Sequence, residues 1–161
     1  MYEHLLVVLD GSPTAEGAVE HTEALAKAFG STVTLFRATI TVESLMSQNA
    51  SGGQAGSDVG PMLDPTPVLQ ADREEAVSYL NWMAERFRQH NLTVNVEHYE
   101  GPPAAEIVER ARALGVSLIV MTTHGRSGLG RMVFGSVAES VLRHAPCPVL
   151  VVRVNSDKAK P

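Results

Sequence analysis

Short apolar runs alternate with longer amphipathic segments along most of the chain, and this alternation constrains its fold more than any other feature. Five runs have the composition of strands, and they cover residues 4–9, 32–38, 92–97, 117–121 and 149–154. Four segments with apolar residues at helical spacing separate them, over about 13–29, 68–90, 104–114 and 136–144. Strands that alternate with helices form βαβ units, in which helices cover both faces of a parallel sheet. The sequence therefore predicts one doubly wound α/β domain with five strands and four helices.

Residues at the segment boundaries predict where two of the helices begin. Ser12 is a good N-cap for the first helix, and Pro13 suits its first helical position. Ser136 and Glu139 have the spacing of a capping box at the start of the last helix. Ser136 could therefore serve only as the cap of that helix, which is the alternative to a role in ligand binding.

Length and composition limit the classes of protein that the chain can belong to. With 161 residues, 44% of them hydrophobic, it suits a single globular domain. The one cysteine, Cys147, excludes an intramolecular disulfide and is expected to be buried and inert. The sequence has no apolar run of membrane-spanning length and no leader pattern at residue 1, so a cytoplasmic protein is expected. The domain is predicted over 1–154 with a flexible insertion at about 47–66 and a polar tail at 155–161.

The charge is negative overall but unevenly distributed. The formal net charge of −5 argues against nucleic acid as a partner, since nucleic-acid binders usually carry a basic face. Residues 1–80 hold three basic and eleven acidic side chains, whereas residues 81–161 hold ten basic and seven acidic ones. An anion site is therefore expected in the second half.

A glycine-rich stretch follows the fourth predicted strand and leads into the last helix. Ligands of doubly wound sheets bind beyond the carboxyl ends of the strands, which directs attention to residues 10–12, 37–39 and 122–135. The last of these segments contains four glycines and ends at a helix N-terminus, where free N–H groups attract anions. Arg126 and Arg131 add positive charge. These features together indicate a phosphate cradle.

Several interpretations stay open on the residues alone. The stretch matches neither a Walker A loop nor the GxGxxG dinucleotide pattern, and turn chemistry alone could account for its glycines. Asp10 could bind a ligand or only shape its turn, and His124 could contact a phosphate or lie on a surface loop. The sequence offers no histidine pair at metal-ligand spacing and no nucleophile beside a base, so neither a structural metal nor an efficient enzyme is expected.

The combined motifs resemble those of the universal stress protein family. Its nucleotide-binding members carry Gly-x-x-Gly-x9-Gly-Ser/Thr after the fourth strand, and here Gly125 and Gly135-Ser136 match all but the first glycine, where Thr122 stands. The opening VVLDGS, the segment GSVAE from Gly135 and the ending APCPVLVV are also typical. The resemblance covers the chain except for the insertion. It implies a Rossmann-like or flavodoxin-like fold of the adenine nucleotide alpha hydrolase-like type.

The resemblance also implies a function and a set of site residues. The protein would bind ATP, with Mg²⁺ carried by the triphosphate, as a regulatory ligand with little or no hydrolysis. Val8 and Asp10 would contact the adenosine, with Asp10 accepting from a ribose hydroxyl, while Ala38 and Met121 would lie near the base. The residues that would surround the phosphates are Thr122, His124, Gly125, Arg126, Ser127, Gly128, Gly135, Ser136 and Val137. A homodimer through strand Val149–Val154 and an unknown protein partner are further implications. The alternative is a dimeric interaction module that binds no ATP.

Overall fold

The computed structural model describes residues 1–39, 41, 64–124 and 135–154. The strands in these ranges are β1 (His4–Val8), β2 (Thr32–Thr39), β3 (Val94–Glu100), β4 (Leu118–His124) and β5 (Val149–Val154). The helices are α1 (Gly17–Phe29), α2 (Thr66–Gln89), α3 (Pro103–Ala113) and α4 (Ser136–His144). The predicted tail at 155–161 lies outside the described residues. So does the predicted insertion, except for residues 64–65, which lead into α2, and Thr66, which begins it.

The strands form one parallel sheet with the order β3-β2-β1-β4-β5. The chain runs from β1 outward to β3 and then returns to the other side of β1 through β4 and β5. The strand order therefore reverses between β1 and β4, where a crevice opens at the carboxyl ends of the strands. The predicted α/β fold class is confirmed.

Helices cover both faces of the sheet, which explains why the interior of its central strand, from Leu5 to Val7, is apolar. Leu5 and Val7 of β1 belong to the core under α1 and α2, and Leu6 belongs to the core under α3 and α4. All three side chains are fully buried. Each contributes roughly 1.5–3 kcal/mol through burial of its apolar surface.

None of the described helices is both long and apolar enough to cross a membrane.

Helix α1 begins four residues later than the sequence predicts, so Ser12 is not its N-cap. Instead, the Ser12 hydroxyl oxygen accepts a hydrogen bond of 3.1 Å from the Ala15 N–H. The N–H groups of Gly17 and Ala18 donate to carbonyls three residues back, so a tight turn precedes the helix. The capping chemistry of Ser12 is present, but it stabilises this turn.

The capping box predicted at the start of α4 is wrong. Gly135 is the N-cap, Ser136 is the first helical residue, and no side chain caps the helix. Glu139 does not reach back toward the N-terminus, because it pairs with Arg143 one turn later, at 2.9 Å. The Ser136 hydroxyl is thus not used as a cap.

Two strands extend further than their apolar runs. β3 continues through His98 and Tyr99 to Glu100, since β2 offers it a pairing partner as far as Thr39. β4 continues through Thr122 to His124, which pair with Val152 and Val154 of β5. The sequence indicates loops at the polar ends of both strands, because the apolar residues stop before the strand pairing does.

Candidate functional site

A cleft of about 350 Å³ opens at the carboxyl ends of β1, β2 and β4, where the strand order reverses. Its volume lies within the range of roughly 300–1,000 Å³ that small-molecule sites occupy. The strands and the turn after β1 provide its floor, and α3 and α4 provide its walls. Its lining residues are Val8, Leu9, Asp10, Ala15, Phe36, Ala38, Pro103, Ile107, Met121, Thr122, Thr123, Gly135, Ser136, Val137 and Ala138.

The inner part of the floor is apolar. Val8 pairs with Phe36 across β1 and β2, and Met121 lies level with Val8, one residue beyond the Val7–Val120 pair. Phe36 and Met121 are buried in the core that α3 and α4 cover. Three neighbouring strands thus present an apolar surface, which suits a planar ring.

The outer part of the floor is more polar. Asp10, Ala38 and Thr123 each follow the inner residue of their strand by two positions, and all three line the cleft. Because side chains two apart in a strand share a face, Ala38 and Thr123 extend the inner surface toward the opening, and Asp10 lies beyond the end of β1. A carboxylate and a hydroxyl group therefore lie just outside the apolar surface.

The turn after β1 holds Asp10 at the edge of the cleft. Asp10 Oδ1 accepts a hydrogen bond of 2.8 Å from the Ser12 N–H, which closes an Asx-type turn. Gly11 in this turn has φ = +83°, a conformation that residues with a side chain rarely adopt. The Asp10 side chain itself is exposed to solvent. The turn therefore fixes one carboxylate oxygen and leaves the group accessible.

The N-terminus of α4 supplies hydrogen-bond donors to one wall. The Glu139 N–H makes the first intrahelical bond, to the Gly135 carbonyl at 2.9 Å. The N–H groups of Ser136, Val137 and Ala138 therefore have no acceptor within the helix. All three residues line the cleft, so donors with no intrahelical acceptor and the positive end of the helix dipole lie beside it.

Gly135 leaves open space in the same wall. Its backbone has φ = −60° and ψ = 155°, which any residue can adopt. A Cβ atom added there would have no described atom within 4 Å. Neither backbone conformation nor contact with a described neighbour requires glycine at this position. The missing side chain instead lets a ligand approach the backbone closely.

The structure brings eight of the thirteen predicted site residues together around this cleft. They are Val8, Asp10, Ala38, Met121, Thr122, Gly135, Ser136 and Val137. Gly125, Arg126, Ser127 and Gly128 lie outside the described residues, as does Arg131. His124 ends β4, and its backbone pairs with Val154. Thr122 has an ordinary strand conformation and pairs with Val152, so this position does not need the freedom of the family's first glycine.

Other lining residues were not predicted. Alternation along β2 could have indicated Phe36, which precedes Ala38 by two residues. Pro103 and Ile107 lie on α3, and their approach to the cleft depends on tertiary packing that no local pattern reveals. The sequence pattern does not indicate Thr123, because the apolar run of β4 ends at Met121. The Thr123 Oγ1 atom is buried and has no hydrogen-bond partner among the described residues.

The arrangement suits binding of a ligand with three chemical parts. The apolar floor matches a planar ring, Asp10 can accept from a hydroxyl group, and the α4 N-terminus attracts an anion. Among the described lining residues, Asp10 supplies the one carboxylate. Within the described ranges, no three histidine, cysteine or acidic side chains are grouped so that they could hold a metal ion.

Comparison with known proteins assigns the chain to a family. A family model described as the universal stress protein family matches residues 1–153. Over 153 residues the chain is 33% identical to universal stress protein MJ0531 of Methanocaldococcus jannaschii, and the match covers 95% of this chain and 83% of the relative.

Solved structures share the fold. Hypothetical protein MJ0577 superposes with a TM-score of 0.76 at 26% identity, covering 97% of this chain and 99% of that one. A universal stress protein from Archaeoglobus fulgidus, solved in complex with dAMP, superposes with a TM-score of 0.62. That match has 20% identity and covers 94% of this chain and 97% of the other, and it shows the shared fold.

Proposed function

The chain belongs to the universal stress protein family, and on that premise we propose that its cleft binds ATP as a regulatory ligand, with little or no hydrolysis. The observation that carries this proposal is the wall formed by Gly135 and the first turn of α4. It combines three backbone N–H donors that have no acceptor within the helix with a position where an added Cβ atom would meet no described atom and whose backbone conformation does not need glycine. A phosphate chain could approach such a wall closely.

The rest of the cleft supports a nucleoside next to that wall. The adenine would lie on the apolar surface of Val8, Phe36 and Met121, with backbone groups of Ala38 at its edge. Asp10 would accept a hydrogen bond from a ribose hydroxyl. The dAMP complex of the Archaeoglobus fulgidus protein is further support, because it has the same fold and holds an adenine nucleotide.

The outer phosphates would extend along the α4 N-terminus. We propose that Thr122 and His124, together with Gly125, Arg126, Ser127 and Gly128, complete the phosphate site. Mg²⁺ would arrive with the triphosphate, since this hard cation prefers phosphate oxygens. The described lining offers one carboxylate, that of Asp10, which would contact the ribose. The phosphates themselves would therefore supply the ligands that hold Mg²⁺.

The ligand would act by changing which conformations of the protein are populated. A nucleotide that binds one conformation better shifts the population toward it and so changes what a protein partner meets. We also propose that the protein acts in the cytoplasm, where ATP is available, and that residues 1–154 form one domain.

We further propose a homodimer through β5. This strand forms one edge of the sheet, and its sequence VLVVRV is largely apolar. An edge strand with free N–H and C=O groups is usually covered. Antiparallel pairing of two β5 strands would cover both edges. Light scattering at micromolar concentration should give twice the chain mass of 17.2 kDa, and a monomer mass would contradict the pairing.

The alternative proposal is a dimeric interaction module that binds no ATP. It rests on Thr122, which stands where the family pattern has its first glycine. Because Thr122 has regular strand geometry, its side chain does not distort the floor of the cleft. This favours the nucleotide-binding proposal over the alternative.

Equilibrium dialysis with radiolabelled ATP and Mg²⁺ tests the proposed function. Saturable retention that unlabelled ATP displaces is expected, and no retention at millimolar ATP would favour the interaction module. Phosphate release should be followed in the same samples. A rate close to the uncatalysed background is expected, whereas sustained turnover would identify an enzyme.

A further inference from the structure

The guanidinium of Arg37 lies against the turn that carries Asp10, on the sheet face away from the cleft. The Arg37 side chain is only 11% exposed, and it packs against helix α2. Its Nη2 atom lies 2.8 Å from Glu75 Oε2 and 3.9 Å from Asp72 Oδ1. Its Cζ atom lies 5.7 Å from the centroid of the Tyr79 ring. Three side chains of one helix therefore hold this cation in place.

The other side of the guanidinium packs against Gly11. A Cβ atom added to Gly11 would lie 2.8 Å from Nη1 and 3.1 Å from Cζ of Arg37. Contacts shorter than 3 Å to a Cβ atom do not occur without a shift. The guanidinium thus occupies the space directly beside the Gly11 backbone, and the turn rests on it.

One nitrogen of the Arg37 guanidinium is removed from solvent by this placement. Nη1 is buried and has no hydrogen-bond partner among the described residues. Buried donors are nearly always paired, because dehydrating an unpaired one costs free energy. The guanidinium nevertheless stays packed against the turn despite that cost. Lysine could not reproduce the arrangement, because a compact ammonium group lacks the flat surface that both contacts Gly11 and bonds α2.

We propose that Arg37 is a positioning residue for the ribose part of the cleft. It packs against the Asp10–Ser12 turn from the sheet face away from the cleft, and Glu75 and Asp72 fix its own position. The proposal rests on the proposed function, because it acts through the Asp10 carboxylate that would accept from the ribose. Arg37 itself would not touch the ligand. The position of α2 would thereby influence how well a ribose hydroxyl is held.

The test compares two nucleotides, ATP and 2′,3′-dideoxy-ATP, which lacks the ribose hydroxyls. Arg37→Met should weaken ATP binding about tenfold, as loss of one hydrogen bond to a charged group would. Binding of dideoxy-ATP should change less than about twofold, since it cannot use Asp10. Glu75→Gln keeps the guanidinium and should give a smaller loss with the same selectivity. Adding Asp10→Asn to Arg37→Met should cause no further loss, because both changes remove one interaction.

Arg86→Met is the matched control. Arg86 lies on the same helix and pairs with Glu23 of α1 at 2.7 Å, away from the cleft lining. It should leave the ratio of the two affinities unchanged. Equal losses for both nucleotides in the Arg37 and Glu75 variants, or additive losses with Asp10→Asn, would overturn the positioning role alone. A wild type that binds neither nucleotide would overturn the proposed function and this role with it.

Discussion

One carboxylate oxygen of Asp10, Oδ1, accepts a hydrogen bond of 2.8 Å from the Ser12 backbone N–H. The other oxygen, Oδ2, has no hydrogen-bond partner among the described residues. A role in the turn and a role toward a ligand therefore need not exclude each other, since each requires one oxygen. The two sequence-based interpretations of Asp10 are compatible in this geometry.

Asp10→Asn separates the two roles. Asparagine keeps a side-chain oxygen for the Ser12 N–H but replaces the second acceptor with a donor. We expect a melting temperature close to that of the wild type and ATP affinity reduced about tenfold. Asp10→Ala, which removes both oxygens, should lower the melting temperature as well. ATP affinity unchanged in Asp10→Asn, measured by fluorescence titration, would exclude the ribose contact.

Thr123→Val should leave the unliganded protein at least as stable as the wild type. The Thr123 Oγ1 atom is buried and has no hydrogen-bond partner among the described residues, so exchanging it for a methyl group of similar shape removes a dehydrated polar atom. Urea denaturation should show an unfolding free energy that is unchanged or higher by up to about 1 kcal/mol. Thr123→Ser, which retains the hydroxyl, is the control. A lower unfolding free energy in Thr123→Val would mean that the hydroxyl has a partner.

The fold could be predicted from sequence because its strongest signals are local and periodic. The interior of the β1 run, from Leu5 to Val7, is apolar at successive positions since both faces of that strand are buried, and this pattern is typical of a central parallel strand. The ends of the elements were harder. β3 extends to Glu100 through pairing with β2, and α1 begins at Gly17 after a tight turn, so tertiary and short-range hydrogen bonds set both limits.

The site could be predicted only in part, for a related reason. Residues at strand ends and at the start of α4 follow from the rule that ligands bind at the carboxyl edge, and Asp10 and Gly135 were found in this way. Ile107 approaches the cleft from α3. Arg37 packs against the Asp10–Ser12 turn from the opposite face of the sheet. Sequence spacing does not reveal either relationship, because both arise from packing between distant segments.

Acidification should lower the unfolding free energy of the wild type, because it protonates His98. Burial lowers the pKa of His98 below its usual value, and its Nε2 lies 2.8 Å from Thr39 Oγ1. Protonation therefore favours the unfolded chain, and stability is lost as the pH falls below about 6.5. The unfolding free energy of the wild type should fall more between about pH 7.5 and about pH 5 than that of His98→Gln. Parallel pH profiles for the two proteins would contradict this.

The thiol of Cys147 should react slowly. Cys147 is half-buried and not fully buried as predicted, and this partial burial raises the pKa of its thiol, so less thiolate is present near neutral pH. Because the chain has one cysteine, alkylation by iodoacetamide reports on this group alone. The folded protein should react more slowly than the same protein in denaturant at about pH 8, and its rate should continue to rise at higher pH. Equal rates in both states would show that the thiol is not shielded.

The most direct measurement is isothermal titration calorimetry of ATP with Mg²⁺ into the wild type, Gly135→Ala and Gly135→Leu. The open space at Gly135 should accept a methyl group with little loss of affinity, whereas leucine should block the phosphate chain. Melting temperatures within about 2 °C of each other would show that folding is unaffected. We predict saturable heat for the wild type and Gly135→Ala and none for Gly135→Leu. Binding by Gly135→Leu with wild-type affinity, or no heat from the wild type at millimolar ATP, would contradict the proposed nucleotide site.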